Sequence, residues 1–137
     1  MYLEHADADL YSAKLLLSPQ GNPSNDEYIL DIAAYHTQQS MEKYLKYVLH
    51  DLYGADETAR SFKTHNILAL ILLTEAHTPY TVPQEIKDAA ALVTSWESST
   101  RYGVSPAAVQ NTIADAISRC ENLRADILRF QAQRAGE

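Results

Sequence analysis

One cysteine, Cys120, stands among the 137 residues. A lone thiol cannot close an intrachain disulfide, and it excludes the paired thiolates of a structural zinc site. A reducing, cytoplasmic setting fits. No apolar run approaches the ~20 residues a membrane span needs. The longest, around ILALILL, is far shorter, so no membrane role is expected. The opening MYLEHADADLYSAK is acidic and lacks the apolar core of a secretory signal. Basic charge is scarce too: 11 Lys and Arg stand against 18 Asp and Glu, for a net charge of −7. That balance argues against broad, sequence-independent binding to nucleic acid or to an anionic membrane. Alternating Val/Ile/Thr runs with hairpin turns are missing, and so is any internal repeat.

What is present is apolar periodicity. Hydrophobic residues make up 46% of the chain, enough for residues 1–137 to form one domain with its own core. Glycine (four) and proline (five) fall mostly at breaks between helical segments. From Tyr2 to Leu17, apolar residues recur at Ala6, Leu10, Ala13 and Leu17. SPQGNPSND ends that segment. A second helix is expected from about Glu27 to Tyr53, stopped by Gly54. Thr64 is the expected N-cap of a short third helix over about His65 to Ala76. Thr81 with Gln84 has capping-box spacing and opens a fourth helix ending near Arg101 to Gly103. Ser105-Pro106 opens a fifth, with Val109, Ile113, Ala116, Ile117, Cys120, Leu123, Ile127 and Phe130 on one stripe. The expected fold is all-α: an antiparallel up-and-down helical bundle of four main helices plus one short helix.

The second helix carries a polar cluster in YHTQQSMEKYLKYVL. At about 100° per residue, Gln38, Glu42 and Lys46 fall with Asp31 opposite the apolar arc, which reads as the outer face. His36, Gln39 and Lys43 share a seam where the apolar arc meets that face. Such a seam is either a ledge for an anion or a partner chain, or a boundary histidine beside a snorkelling lysine. Other constellations are weaker. None of the five histidines has Glu three residues before it, so a ferritin-like metal bundle is rejected. Glycine-rich phosphate loops are lacking, and no cofactor is expected. Arg119, Arg124, Arg129 and Arg134 spiral around their helix instead of lining a groove, as solvated charges balanced by Asp115, Glu121 and Asp126. Tyr35, Tyr44, Tyr47 and Tyr53 crowd the second helix and suit packing seams, some at a subunit interface.

Three pieces in order resemble the HEPN family, the higher eukaryotes and prokaryotes nucleotide-binding domain. The long helix matches at His36, Gln38, Gln39, Glu42, Lys43, Leu45 and Lys46. Thr64-His65 opens the next helix, and Arg101-Tyr102 follows Trp96. Gly103 stands where proline usually follows Arg-Tyr, and Asn66 where aspartate usually follows Thr-His. The resemblance implies a helical bundle, a homodimer, and one of two jobs. One is a nucleotide- or substrate-binding accessory protein that acts with a separate minimal nucleotidyltransferase, in a toxin–antitoxin-like pair. Its ligand or partner would meet His36, Gln39, Lys43, His65, Arg101 and Tyr102. The other is a metal-independent ribonuclease, which would take RNA. Family ribonucleases carry Arg-x(4–6)-His on a late helix, and no histidine follows His77 here. Arg60 and His65 have that spacing but precede the short helix, which leaves them as the alternative catalytic pair.

Overall fold

The computed structural model describes residues 1–97 and 106–136. Every regular element among them is a helix. In order they are α1 (Tyr2–Leu17), α2 (Glu27–Lys46), α3 (Ile67–His77), α4 (Gln84–Thr94) and α5 (Pro106–Ala135). A π-helical turn, Tyr47–Leu52, continues α2, and a 3-10 turn, Ser95–Glu97, continues α4. None of these helices is long and apolar enough to cross a membrane.

The apolar periodicity becomes the core. Ala6, Leu10 and Ala13 are buried on α1, and Leu17 is half-buried. The α5 stripe is buried from Val109 to Ile127, with Phe130 packed at its margin. Asp26 caps α2 by accepting the Tyr28 N–H at 2.8 Å, which satisfies one of the orphan donors of the first turn. At the far end Gly54 adopts φ +70° and donates its N–H to the His50 carbonyl at 2.8 Å. That left-handed conformation costs glycine little, and it stops the helix where the sequence says it should.

Two caps differ from expectation. Asn66, not Thr64, caps α3: its Oδ1 accepts the Ala69 N–H at 3.0 Å. Thr64 instead accepts the Asn66 N–H at 3.1 Å, forming a turn just outside the helix. The helix therefore begins at Ile67, and His65 precedes it. The Thr81–Gln84 capping box does not form. Pro83 stands at the N-cap of α4, and the Gln84 side chain donates forward to Asp88 at 2.9 Å. The expected end of the fourth helix, at Arg101 to Gly103, lies outside the described residues.

Cross-helix bonds give the packing directions. Ser40 donates to the Ala6 carbonyl, and Asp51 meets the amine of Met1, so α1 and α2 are antiparallel. Arg124 pairs with Asp7 and Lys14 with Glu121, so α1 and α5 are antiparallel too. Residues 54–66 climb back beside α2 and bring His65 to Gln38 and Glu42. From there α3 descends in the same sense as α2. Then α4 returns against it, with Thr94 at Ile67 and Lys87 at Glu75. As a result α2 is covered by α1, α5 and α3 with its entry loop.

Candidate functional site

The residues read as the outer face of α2 are buried. Gln38 is 0% exposed, Glu42 4% and Lys46 7%. The angular sort assumed one core on one side of α2. The returning segment 54–66 and the start of α3 cover the other side as well. Glu42 is the hub of what they enclose. Its carboxylate accepts from Gln38 Nε2 at 3.1 Å, Lys46 Nζ at 3.0 Å and His65 Nδ1 at 2.9 Å. Gln38 Nε2 also donates to the His65 carbonyl at 3.2 Å, which ties the α3 entry to α2. Lys46 lies over the Phe62 ring, 5.3 Å from its centroid. A buried carboxylate needs such partners, because an isolated ion there would lose hydration with nothing in return.

His65 is the exposed edge of this cluster, its side chain 52% accessible. A carboxylate only accepts, so the Nδ1 facing Glu42 carries the proton in the neutral ring. Nε2 is then the basic nitrogen of a ring whose orientation Glu42 fixes. Close in sequence, Arg60 and Lys63 are exposed, and Lys63 acts at longer range on Asp56. In the segment 54–66 the two cations balance Asp56 and Glu57, three to seven residues earlier in the chain. The first turn of α3 adds the positive end of a helix dipole.

The expected seam behaves differently. His36 Nδ1 and Lys43 Nζ both reach Asp9 on α1, at 2.8 and 2.5 Å. Asp9 is 12% exposed, His36 30% and Lys43 25%. Gln39 turns away from them and donates to Gln38 Oε1 at 2.7 Å, joining the Glu42 cluster. His36 and Lys43 therefore staple α1 to α2, and the Lys43 charge is already answered by Asp9. His65 is not part of that group. Arg101 and Tyr102 lie outside the described residues, although the turn Ser95–Glu97 leading toward them packs on α2.

A third polar group joins three helices. Arg124 holds Asp7 through both carboxylate oxygens, at 2.8 and 3.1 Å, and Tyr44 donates to the same carboxylate at 2.5 Å. Burial pushes the Asp7 carboxyl up, but the bonds from Arg124 and Tyr44 outweigh it and hold the group below its ordinary value. Burial, then the bond to Asp7, pushes the Tyr44 phenol well up, so it stays a donor. The rest of the arginine spiral is balanced as expected: Arg119 by Asp115 and Arg129 by Asp126. Glu121 instead pairs with Lys14. Arg134 stacks on Tyr53, 4.5 Å from the ring centroid. Cys120 is fully buried and its thiol is pushed up to about 12, chiefly by desolvation, which leaves it unreactive. Among the described residues no cluster of His, Cys, Asp and Glu is placed to hold a metal ion.

The Gln-x3-Glu-x3-Lys spacing on α2 and the histidine that meets its glutamate also mark a family. A HEPN domain model matches residues 1–130. The chain belongs to the HEPN domain family. Neither the curated proteins nor the solved structures yielded a match. Within this HEPN domain, Gln38 and Glu42 were the residues that angular reasoning passed over. Their signal was the motif itself: three polar residues four apart, in a helix too apolar elsewhere to spare a solvent face.

Proposed function

We propose that this HEPN domain is a nucleotide-binding accessory module whose phosphate-binding edge is the entry to α3. The observation that carries the reading is His65, held by buried Glu42 just before α3, close in sequence to the exposed cations Arg60 and Lys63. A phosphate there meets a histidine, a guanidinium and a helix N-terminus, and charge-assisted bonds are the strong ones. A minimal nucleotidyltransferase is the proposed partner, with the domain as a homodimer in a toxin–antitoxin-like pair. His36 and Lys43 then serve stability, not the ligand. Arg101 and Tyr102 belong to the proposal through their place in the family motif.

Isothermal titration tests it. ATP, AMP and the purified product of the neighbouring gene would each be titrated into the pure domain, beside His65→Ala and the double variant Arg60→Ala/Lys63→Ala. Binding that weakens in both variants supports the reading. Absence of heat with every ligand up to about 1 mM would sink it.

A second reading has its own support. An imidazole oriented by a carboxylate is how a general base is built. With Arg60 steadying a phosphate, the domain would cleave RNA without metal. The assay is cleavage of mixed RNA in EDTA by the wild type and His65→Ala. Equal products from both, or none from the wild type, would remove this reading.

A further inference from the structure

The opposite end of α3 holds a cavity of about 350 Å³. It opens where the C-terminal ends of α2 and α3 converge, behind the loop that begins at Gly54. Leu49 and Leu73 supply apolar wall, Tyr53 and Phe62 supply rings, and Asp56 and His77 supply polar atoms. A volume of this order is what small-molecule sites have, with few polar groups set in an apolar lining.

The electrostatics of the cavity favour one sign. Helix C-termini present carbonyl oxygens and the negative end of the dipole, and two of them meet here. Asp56 adds a full negative charge. Its Oδ1 accepts the Thr58 hydroxyl at 2.6 Å and the Thr58 N–H at 2.9 Å, which hold the carboxyl below its ordinary value. Its Oδ2 takes no hydrogen bond from a described residue, and Lys63 acts on it only from beyond 4.0 Å. Both rings already attract protein cations: Arg134 lies over Tyr53 and Lys46 over Phe62. Aromatic faces do this through their quadrupole. An anion would meet repulsion from Asp56. A neutral apolar molecule would make no use of the exposed Asp56 carboxylate. A bare small cation would leave the Leu49 and Leu73 walls unused.

We propose that the cavity between the ends of α2 and α3 binds a small organic amine, an ammonium on a compact aromatic body. The ammonium bonds Asp56 Oδ2, and the body fills the space between Tyr53, Phe62 and the leucines, beside the His77 ring. This site lies at the other end of the same helix from His65, although Lys63 acts at longer range on Asp56.

Tyramine is the probe, with three comparators: 4-ethylphenol, which keeps the body without the charge; methylamine, which keeps the charge without the body; and 3-(4-hydroxyphenyl)propionate, which reverses the charge. Titration calorimetry is run on the full chain. Tyramine should bind at least about tenfold more tightly than each comparator, the factor expected for one charge-assisted bond or one buried ring. Asp56→Asn keeps the turn to Thr58 and should weaken tyramine about tenfold or more. Ser61→Phe, placed on another lining residue, should abolish binding by filling the space. Thermal melts establish that each variant is folded, and either variant suffices for the test. Methylamine binding as well as tyramine, or full-strength tyramine binding in the folded variants, would overturn the proposal. So would no tyramine binding up to about 10 mM.

Discussion

Two polar clusters flank α2, and they differ in what surrounds them. Around Glu42, four side chains and a backbone carbonyl meet with almost no access to water, except at the His65 edge. Around Asp9, a histidine and a lysine share one carboxylate at the half-open boundary with α1. Formal charges nearly cancel in both. What separates them is the cost of breaking them. At Glu42 the partners are stranded in the core, while at Asp9 they turn to water. The lesson is that position relative to the covering elements, not residue type, decides whether a polar cluster is expensive.

The largest expected effect tests that cost directly. Glu42→Ala leaves buried Lys46 and Gln38 without their acceptor, and removing one partner of a buried pair costs about 3–5 kcal/mol. Urea denaturation should show a loss of that order, or no folded protein at all. Asp9→Asn should cost about 1 kcal/mol, since His36 and Lys43 can re-solvate and Asn still accepts one bond. Equal costs for the two variants would break the comparison.

How far the sequence carried follows from the same contrast. The helical stripes on α1 and α5 were legible because each helix has one core face, so Ala6-Leu10-Ala13 and Val109 to Ile127 read straight off the spacing. The stop at Gly54 was legible because positive φ selects glycine. The α2 polar residues were not, because their environment depends on where residues 54–66 return, a long-range fact that periodicity does not contain. Gln39 shows this well: its angle puts it with His36 and Lys43, yet its amide bonds Gln38. The cap of α3 was missed for a local reason. Thr64 and Asn66 both accept backbone N–H groups, and Asn66 sits two residues nearer the first turn of the helix.

A smaller effect sharpens the picture with pH. The Asp7 carboxyl lies below its ordinary value when folded, so its contribution is fully present above the unfolded pKa of about 4. That contribution is lost as pH falls from there through the folded value. Asp7→Asn removes it. The stability gap between wild type and Asp7→Asn should be constant above about pH 5 and shrink on acidification toward pH 3. Because Asp7 and Arg124 are 36% and 40% exposed, screening keeps the gap to about 1 kcal/mol or less. A gap that grows on acidification would contradict the assignment.

A modest effect on stability should carry the largest effect on binding. His65 belongs to the costly cluster by hydrogen bond but sits at its edge, 52% exposed. In His65→Ala the Glu42 carboxylate keeps Lys46 and Gln38, and Gln38 keeps the backbone carbonyl of residue 65. Stability should therefore fall far less than in Glu42→Ala, by about 1–2 kcal/mol for the one bond lost to a buried carboxylate. Nucleotide affinity should nevertheless fall about tenfold or more, the worth of one charge-assisted bond to phosphate. If His65→Ala instead melts the domain as Glu42→Ala does, His65 is a fourth wall of the core. The division between a structural hub at Glu42 and a functional edge at His65 then fails. If stability and affinity both survive, the edge is not where the phosphate binds, and the cations of residues 60–63 must act without it.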